Sequence, residues 1–214
     1  MQNKVKKLIK IDACVLGLTI LVISFVLTGQ MSRPVKAATD TKDVSLSTNA
    51  QEYLTFTITA GSSIAFGDLS PGSPVVGSNG TTTSVTTNAA NGYTLAVSDS
   101  VSGSDSALLH SDTTTRILDY SGTIATPTSW SGTGFGFCLY SGTNKDAKWG
   151  TGTSYNDSNN KYAGVPQTAT TIMTKTGYTE GADTAGIGWK VDVPNTQKTG
   201  SYSGSVTLTV TAVL

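Results

Sequence analysis

The sequence predicts an all-β protein, a single antiparallel β-sandwich of the immunoglobulin-like or jelly-roll-like kind behind an N-terminal signal helix. Three observations carry that prediction. Apolar residues alternate with Thr and Ser at period two through many short segments, the spacing of half-buried strands. Gly, Pro and Asn clusters punctuate those segments at short intervals. No sustained helical period occurs beyond the first forty residues.

The N-terminal element reads as an export signal. Lys4, Lys6, Lys7 and Lys10 form a positive start, Ala13 to Leu27 is a nearly unbroken apolar run, and Val35-Lys36-Ala37-Ala38 offers small residues to a signal peptidase. Residues 1–37 are therefore expected to be removed, leaving a secreted, cell-surface protein that begins near Ala38 or Thr39. An uncleaved anchor is the alternative and would be the chain's one contact with a membrane. The run is short for a span of about 20 residues, and Gln30, Ser32 and Arg33 follow it closely.

Loss of the signal changes the charge. Six basic residues and Asp12 leave with it, which reduces the 14 basic and 14 acidic residues to 8 and 13, a net of about −5. Nucleic-acid binding needs clustered positive charge, so it is excluded as a function class. Cys14 lies within the signal, which leaves Cys138 as the one cysteine of the mature chain and allows no intrachain disulfide.

Residues 38–50 are polar and aperiodic, a flexible lead-in to a β-sandwich domain over 51–214. Leu54, Phe56 and Ile58 alternate with Thr55, Thr57 and Thr59 as a half-buried strand, and Ile64 and Phe66 continue the core face. Ser84 to Thr87 leads into Asn91-Gly92, a hairpin signal, after which Tyr93, Leu95 and Val97 resume the alternation. Arg116 to Tyr120 and Phe135 to Tyr140 read as strands, the second with Phe135, Phe137 and Leu139 on one face. A long loop rich in Gly, Asn, Asp and Lys occupies 141–164. Ala169 to Lys175 forms another strand. Ile187, Trp189, Val191 and Val193 alternate up to Pro194, and Tyr202, Val206, Leu208 and Val210 close the domain.

Two stretches carry a resemblance. Ile58-Thr59-Ala60-Gly61, Phe66-Gly67-Asp68-Leu69-Ser70-Pro71-Gly72 and Asn88-Ala89-Ala90-Asn91-Gly92-Tyr93 form the first; Trp189-Lys190-Val191-Asp192-Val193-Pro194 and Gln197-Lys198-Thr199-Gly200-Ser201-Tyr202 form the second. Over about half of the mature chain the protein resembles the secreted, Thr-rich β-sandwich surface proteins of Gram-positive and candidate-phylum bacteria, in the style of WxL-domain and camelysin/TasA-like proteins. The resemblance implies a bacterial surface protein with a structural or adhesive role. Lys190-Val191 follows Trp189 where the WxL pattern has a Leu two positions on.

Candidate chemistry is sparse. His110 is the single histidine, and a Ser-His-Asp triad would have to use Asp112 or Asp119 without a Gly-x-Ser-x-Gly elbow. Cys138, His110 and Arg116 are the residue types of an activated thiolate, but Arg116 precedes the cysteine and Phe135-Gly136-Phe137 leads into it, the setting of a packed apolar residue. A thioester would pair Cys138 with Gln167. Asn156 to Asn160 and Asp99 to Asp105 offer hard oxygens without a calcium-loop spacing, so turns are the expected role and no metal or cofactor is expected. Trp130, Trp149, Tyr155 and Tyr162 are the ligand-contacting candidates, aromatic rings among Gly, Ser and Asn that would either stack on a glycan or lid a small core under the loop. Trp189, inside an alternating strand, is expected in the core.

These readings converge on a non-catalytic structural or adhesive protein. Its expected partners are further copies of itself or cell-surface protein or glycan. Thr-covered strands with few charges are β-prone and weakly protected against pairing with another copy. The alternative is a glycan-binding module that uses the aromatics of the 141–164 loop.

Overall fold

The structure is a computed structural model that describes residues 40–100 and 108–214. The expected signal helix lies outside the described residues, as does most of the Asp99 to Asp105 segment. Residues 40–49 are exposed and carry no regular secondary structure.

Between Ala50 and Leu214 the described residues are nearly all β. The strands are β1 (Leu54–Ala60), β2 (Val75–Val76), β3 (Thr81–Thr87), β4 (Tyr93–Asp99), β5 (Leu108–His110), β6 (Arg116–Ile117), β7 (Gly134–Gly142), β8 (Ala163–Gly164), β9 (Thr170–Lys175), β10 (Asp183–Asp192), β11 (Tyr202–Ser203) and β12 (Val206–Ala212). One 3-10 turn, Ala147–Trp149, interrupts them. A six-stranded sheet has the order β1-β3-β10-β7-β8, with β2 also on β10. β12-β4-β9 and β11-β5-β6 form two three-stranded sheets, and every paired strand runs antiparallel.

Alternation sets which side chains face the core. Thr81, Thr83, Val85 and Thr87 of β3 are buried, as are Tyr93, Leu95, Val97 and Asp99 of β4. Val85, Tyr93, Leu95 and Val97 of these rows join Phe135, Phe137, Leu139, Ile187, Trp189 and Val191 in one hydrophobic cluster that spans the two larger sheets, the six-stranded one and the long-stranded β12-β4-β9. Tyr93 ties the sheets together, its hydroxyl donating to Asp183 Oδ2 at 2.8 Å. Burial first, then this carboxylate, push the Tyr93 phenol well above its ordinary value. Trp189 is core, as the alternation required, and its Nε1 donates to Thr81 Oγ1 at 2.9 Å.

The Asn91-Gly92 signal has a different outcome from the hairpin it predicts. β3 and β4 belong to different sheets, so residues 88–92 form an arch across the core. Strict alternation is satisfied equally by an arch and a hairpin, because in both each strand turns one face inward. Gly92 is still required: its φ is 86°, and a Cβ there would meet the Lys175 carbonyl oxygen. Other elements differ, and the terminal Tyr202 to Val210 row divides between β11 and β12, which lie in different sheets. The Arg116 to Tyr120 strand shortens to Arg116–Ile117, with Asp119 making only an isolated bridge to Phe135. Ile64 and Phe66 pack against the core from a loop.

Candidate functional site: two uncharged edge strands

β1 ends one side of the six-stranded sheet and β12 ends the β12-β4-β9 sheet. Their sequences share a pattern: Leu-Thr-Phe-Thr-Ile-Thr-Ala in β1 and Val-Thr-Leu-Thr-Val-Thr-Ala in β12. Neither contains a charged residue or a Pro, the usual devices that keep an edge from pairing.

The arch holds both strands. Asn88 accepts from the Tyr53 amide at 2.7 Å and donates to the Gln51 carbonyl at 2.7 Å, fixing the start of β1. Asn91 donates from Nδ2 to the Leu214 carbonyl at 2.7 Å, and its amide donates to the Val213 carbonyl at 3.2 Å, fixing the end of β12. At the opposite end, Ile58 of β1 lines the same cleft as Val206 and Leu208 of β12. The start of one strand thus meets the end of the other, and the two edges run antiparallel along one side of the domain. The cleft measures about 240 Å³ and is floored by Ile64, Phe66 and Trp189.

The inward apolar residues at this side are incompletely covered. Phe56 pairs with Val85 and Ile58 with Thr83, which places them on the core face of the sheet. Even so, Ile58 is 43% exposed and Leu54 37% exposed. Val206, Leu208 and Val210 on the core face of β12 are only half-buried. The expected half-buried strand at 54–60 is therefore an edge strand whose apolar face reaches solvent.

The sequence-derived site residues lie elsewhere. Trp149 is fully buried against Phe137, with ring centroids 5.3 Å apart, and Tyr162 is buried as well. Trp130 is half-buried, stacked on Tyr120 at 4.3 Å and edge-on to Tyr162 at 5.2 Å. Lys190 Nζ sits 5.3 Å from the centroids of both Trp130 and Tyr162, and burial lowers its pKa. Tyr155 is half-buried beside Tyr140. Trp130 and Tyr162 thus share one cluster, while Trp149 and Tyr155 pack on other neighbours. None of the four lines the clefts of about 240, 650 and 430 Å³.

Several polar groups of the 141–164 loop pair with one another, although Trp149 Nε1 and Asn160 Oδ1 are buried there without a hydrogen-bond partner. Lys145 donates to the Gly152 carbonyl at 2.9 Å. Asp157 accepts from the amides of Asn159 and Thr153, hydrogen bonds that hold its carboxyl below the usual range. Among the described residues no three His, Cys, Asp or Glu side chains group as metal ligands would. Cys138 is fully buried and its thiol is pushed up to about 12 by burial, whereas Gln167 is exposed. A thiol held protonated in this way is a poor nucleophile.

His110 does lie beside Asp112, with both ring nitrogens already in contact with other groups. Its Nδ1 lies 3.0 Å from the Asp112 amide nitrogen and 3.2 Å from Asp112 Oδ1, and its Nε2 meets the Thr199 carbonyl at 3.1 Å, so the ring is held between two loops. Lys198 at 2.8 Å and the amides of Thr115 and Thr114 hold the Asp112 carboxyl far below the usual range. This cluster staples the Ser111–Thr115 loop to the irregular segment that carries Lys198 and Thr199. No family model matches the chain, and neither a curated protein nor a solved structure matches it.

Proposed function

We propose that this is a secreted or cell-surface structural protein, non-catalytic, whose two larger sheets stack as a β-sandwich and which works by assembly or adhesion. The observation that supports this best is the side formed by β1 and β12: two seven-residue edges without charge, with apolar residues between them reaching solvent. Thr residues cover the outward faces, so pairing with another chain would bury no charge. Trp149, on which a glycan-binding reading leans most, is committed to the core.

Light scattering and negative-stain microscopy of the purified protein test this reading. Dimers, filaments or a lattice that grow with concentration are expected. A strictly monomeric protein that binds a glycan array would overturn it in favour of glycan recognition.

A further inference from the structure

We infer that the partner for the open side is a second copy of this chain, docked edge to edge so that β1 and β12 both gain a strand and both larger sheets continue into the copy. The inference rests on the assembly reading above and deepens it by naming the partner and its place.

Three observations favour a second copy over an unrelated chain. The first is geometric. β1 and β12 run antiparallel on one side of the domain, held by Asn88 and Asn91 at one end. A single two-fold axis perpendicular to both sheets reverses strand direction while leaving each sheet in its own layer, so both edges meet antiparallel partners at once. The second is self-complementarity. In both strands the inward residues are the even-numbered ones, Leu54, Phe56 and Ile58 in β1 and Val206, Leu208 and Val210 in β12. Registers centred on Phe56 and on Leu208 therefore set inward side chains opposite inward side chains, and the two exposed apolar rows close into one core.

The third is size and charge. Each edge is seven residues, about 23 Å long, and layers about 10 Å apart with their side chains give a patch about 20 Å wide. Covering it on both copies removes on the order of 1,000 Å² from water, the level at which a specific interface begins. No charge on either edge opposes the contact, and the Thr rows stay on the outside of the continued sheets. The far edges do not offer the same surface. β8 is only two residues long, and β9 ends in Lys175.

Hydrogen exchange on wild-type protein at low and high concentration tests the inference without altering the fold. Protection that rises with concentration in residues 54–60 and 206–212, and not in 163–164 or 170–175, is expected. Phe56→Lys and Leu208→Lys, each an inward charge on an edge strand, should each return the protein to monomer while circular dichroism stays that of wild type. Association with protection elsewhere, or a dimer that survives both lysines, would overturn this interface and leave the assembly reading standing. A wild type that stays monomeric at every concentration would overturn both.

Discussion

The two sides of the six-stranded sheet are finished in opposite ways. At the β7 side, Gly134 to Leu139 are all buried, so the strand is covered on both faces. Gly188 on the neighbouring β10 shows how: a Cβ there would lie 2.8 Å from the Tyr155 carbonyl oxygen and 2.9 Å from Cys138 Sγ, so the 141–164 loop lies directly on the sheet. At the β1 side the strand follows a lead-in that is exposed and irregular, and its apolar face reaches solvent. Among the described residues, equal alternation thus yields a sealed side where a loop lies across the sheet and an open side where none does. Burial is decided by what lies across the sheet, not by the strand alone.

Substitutions can break or sharpen that contrast. The largest effect is expected for Trp149→Ala on the sealed side, a loss of about 3–5 kcal/mol from removing a fully buried indole, read by denaturant unfolding. Gly188→Val should follow at about 1–3 kcal/mol, because the loop has to lift off the sheet to admit the side chain. Normal stability in that variant would mean that the loop does not seal the face. On the open side, Asn88→Ala and Asn91→Ala should each cost about 1 kcal/mol and loosen β1 and β12 respectively, seen as faster hydrogen exchange confined to those strands.

Smaller effects probe the two ionisable clusters. Cys138→Ala should cost on the order of 1 kcal/mol and leave association unchanged, and the native thiol should resist alkylation at neutral pH. Rapid labelling would contradict its burial. Asp112 has a depressed carboxyl pKa in the folded state, so its contribution is present above the ordinary value of 3.8 and is lost as pH falls through and below it. Asp112→Asn should accordingly flatten the decline of thermal stability on acidification below about pH 4, with little change in association.

Much of the strand content was legible. The rows Tyr93-Leu95-Val97, Ile187-Trp189-Val191 and Val206-Leu208-Val210 are each placed by period two, and Trp189 is where that period puts it. The arch was not legible, since Asn91-Gly92 serves a hairpin as well as a crossing, and only the pairing partners of β3 and β4 tell them apart. The clasp was missed for the same reason. Asn88 and Asn91 look like turn formers, and their side-chain partners at Tyr53, Gln51 and Leu214 lie 35, 37 and 123 residues away. The aromatic loop residues could not be divided into exposed and buried from sequence, because small and polar residues flank both, Ser and Gly around Trp130 and Lys, Gly and Thr around Trp149.

By itself the sequence determined the all-β character, the inward and outward rows of the longer strands and the want of charge on 54–60 and 206–212, because these follow from side-chain identity at period two. Only the tertiary structure decided which strands are neighbours, that β1 and β12 are edges on one side, and that Trp149 is core. Those outcomes depend on contacts between residues far apart in the chain, where loop closure and packing choose among arrangements that local preference leaves equal in energy.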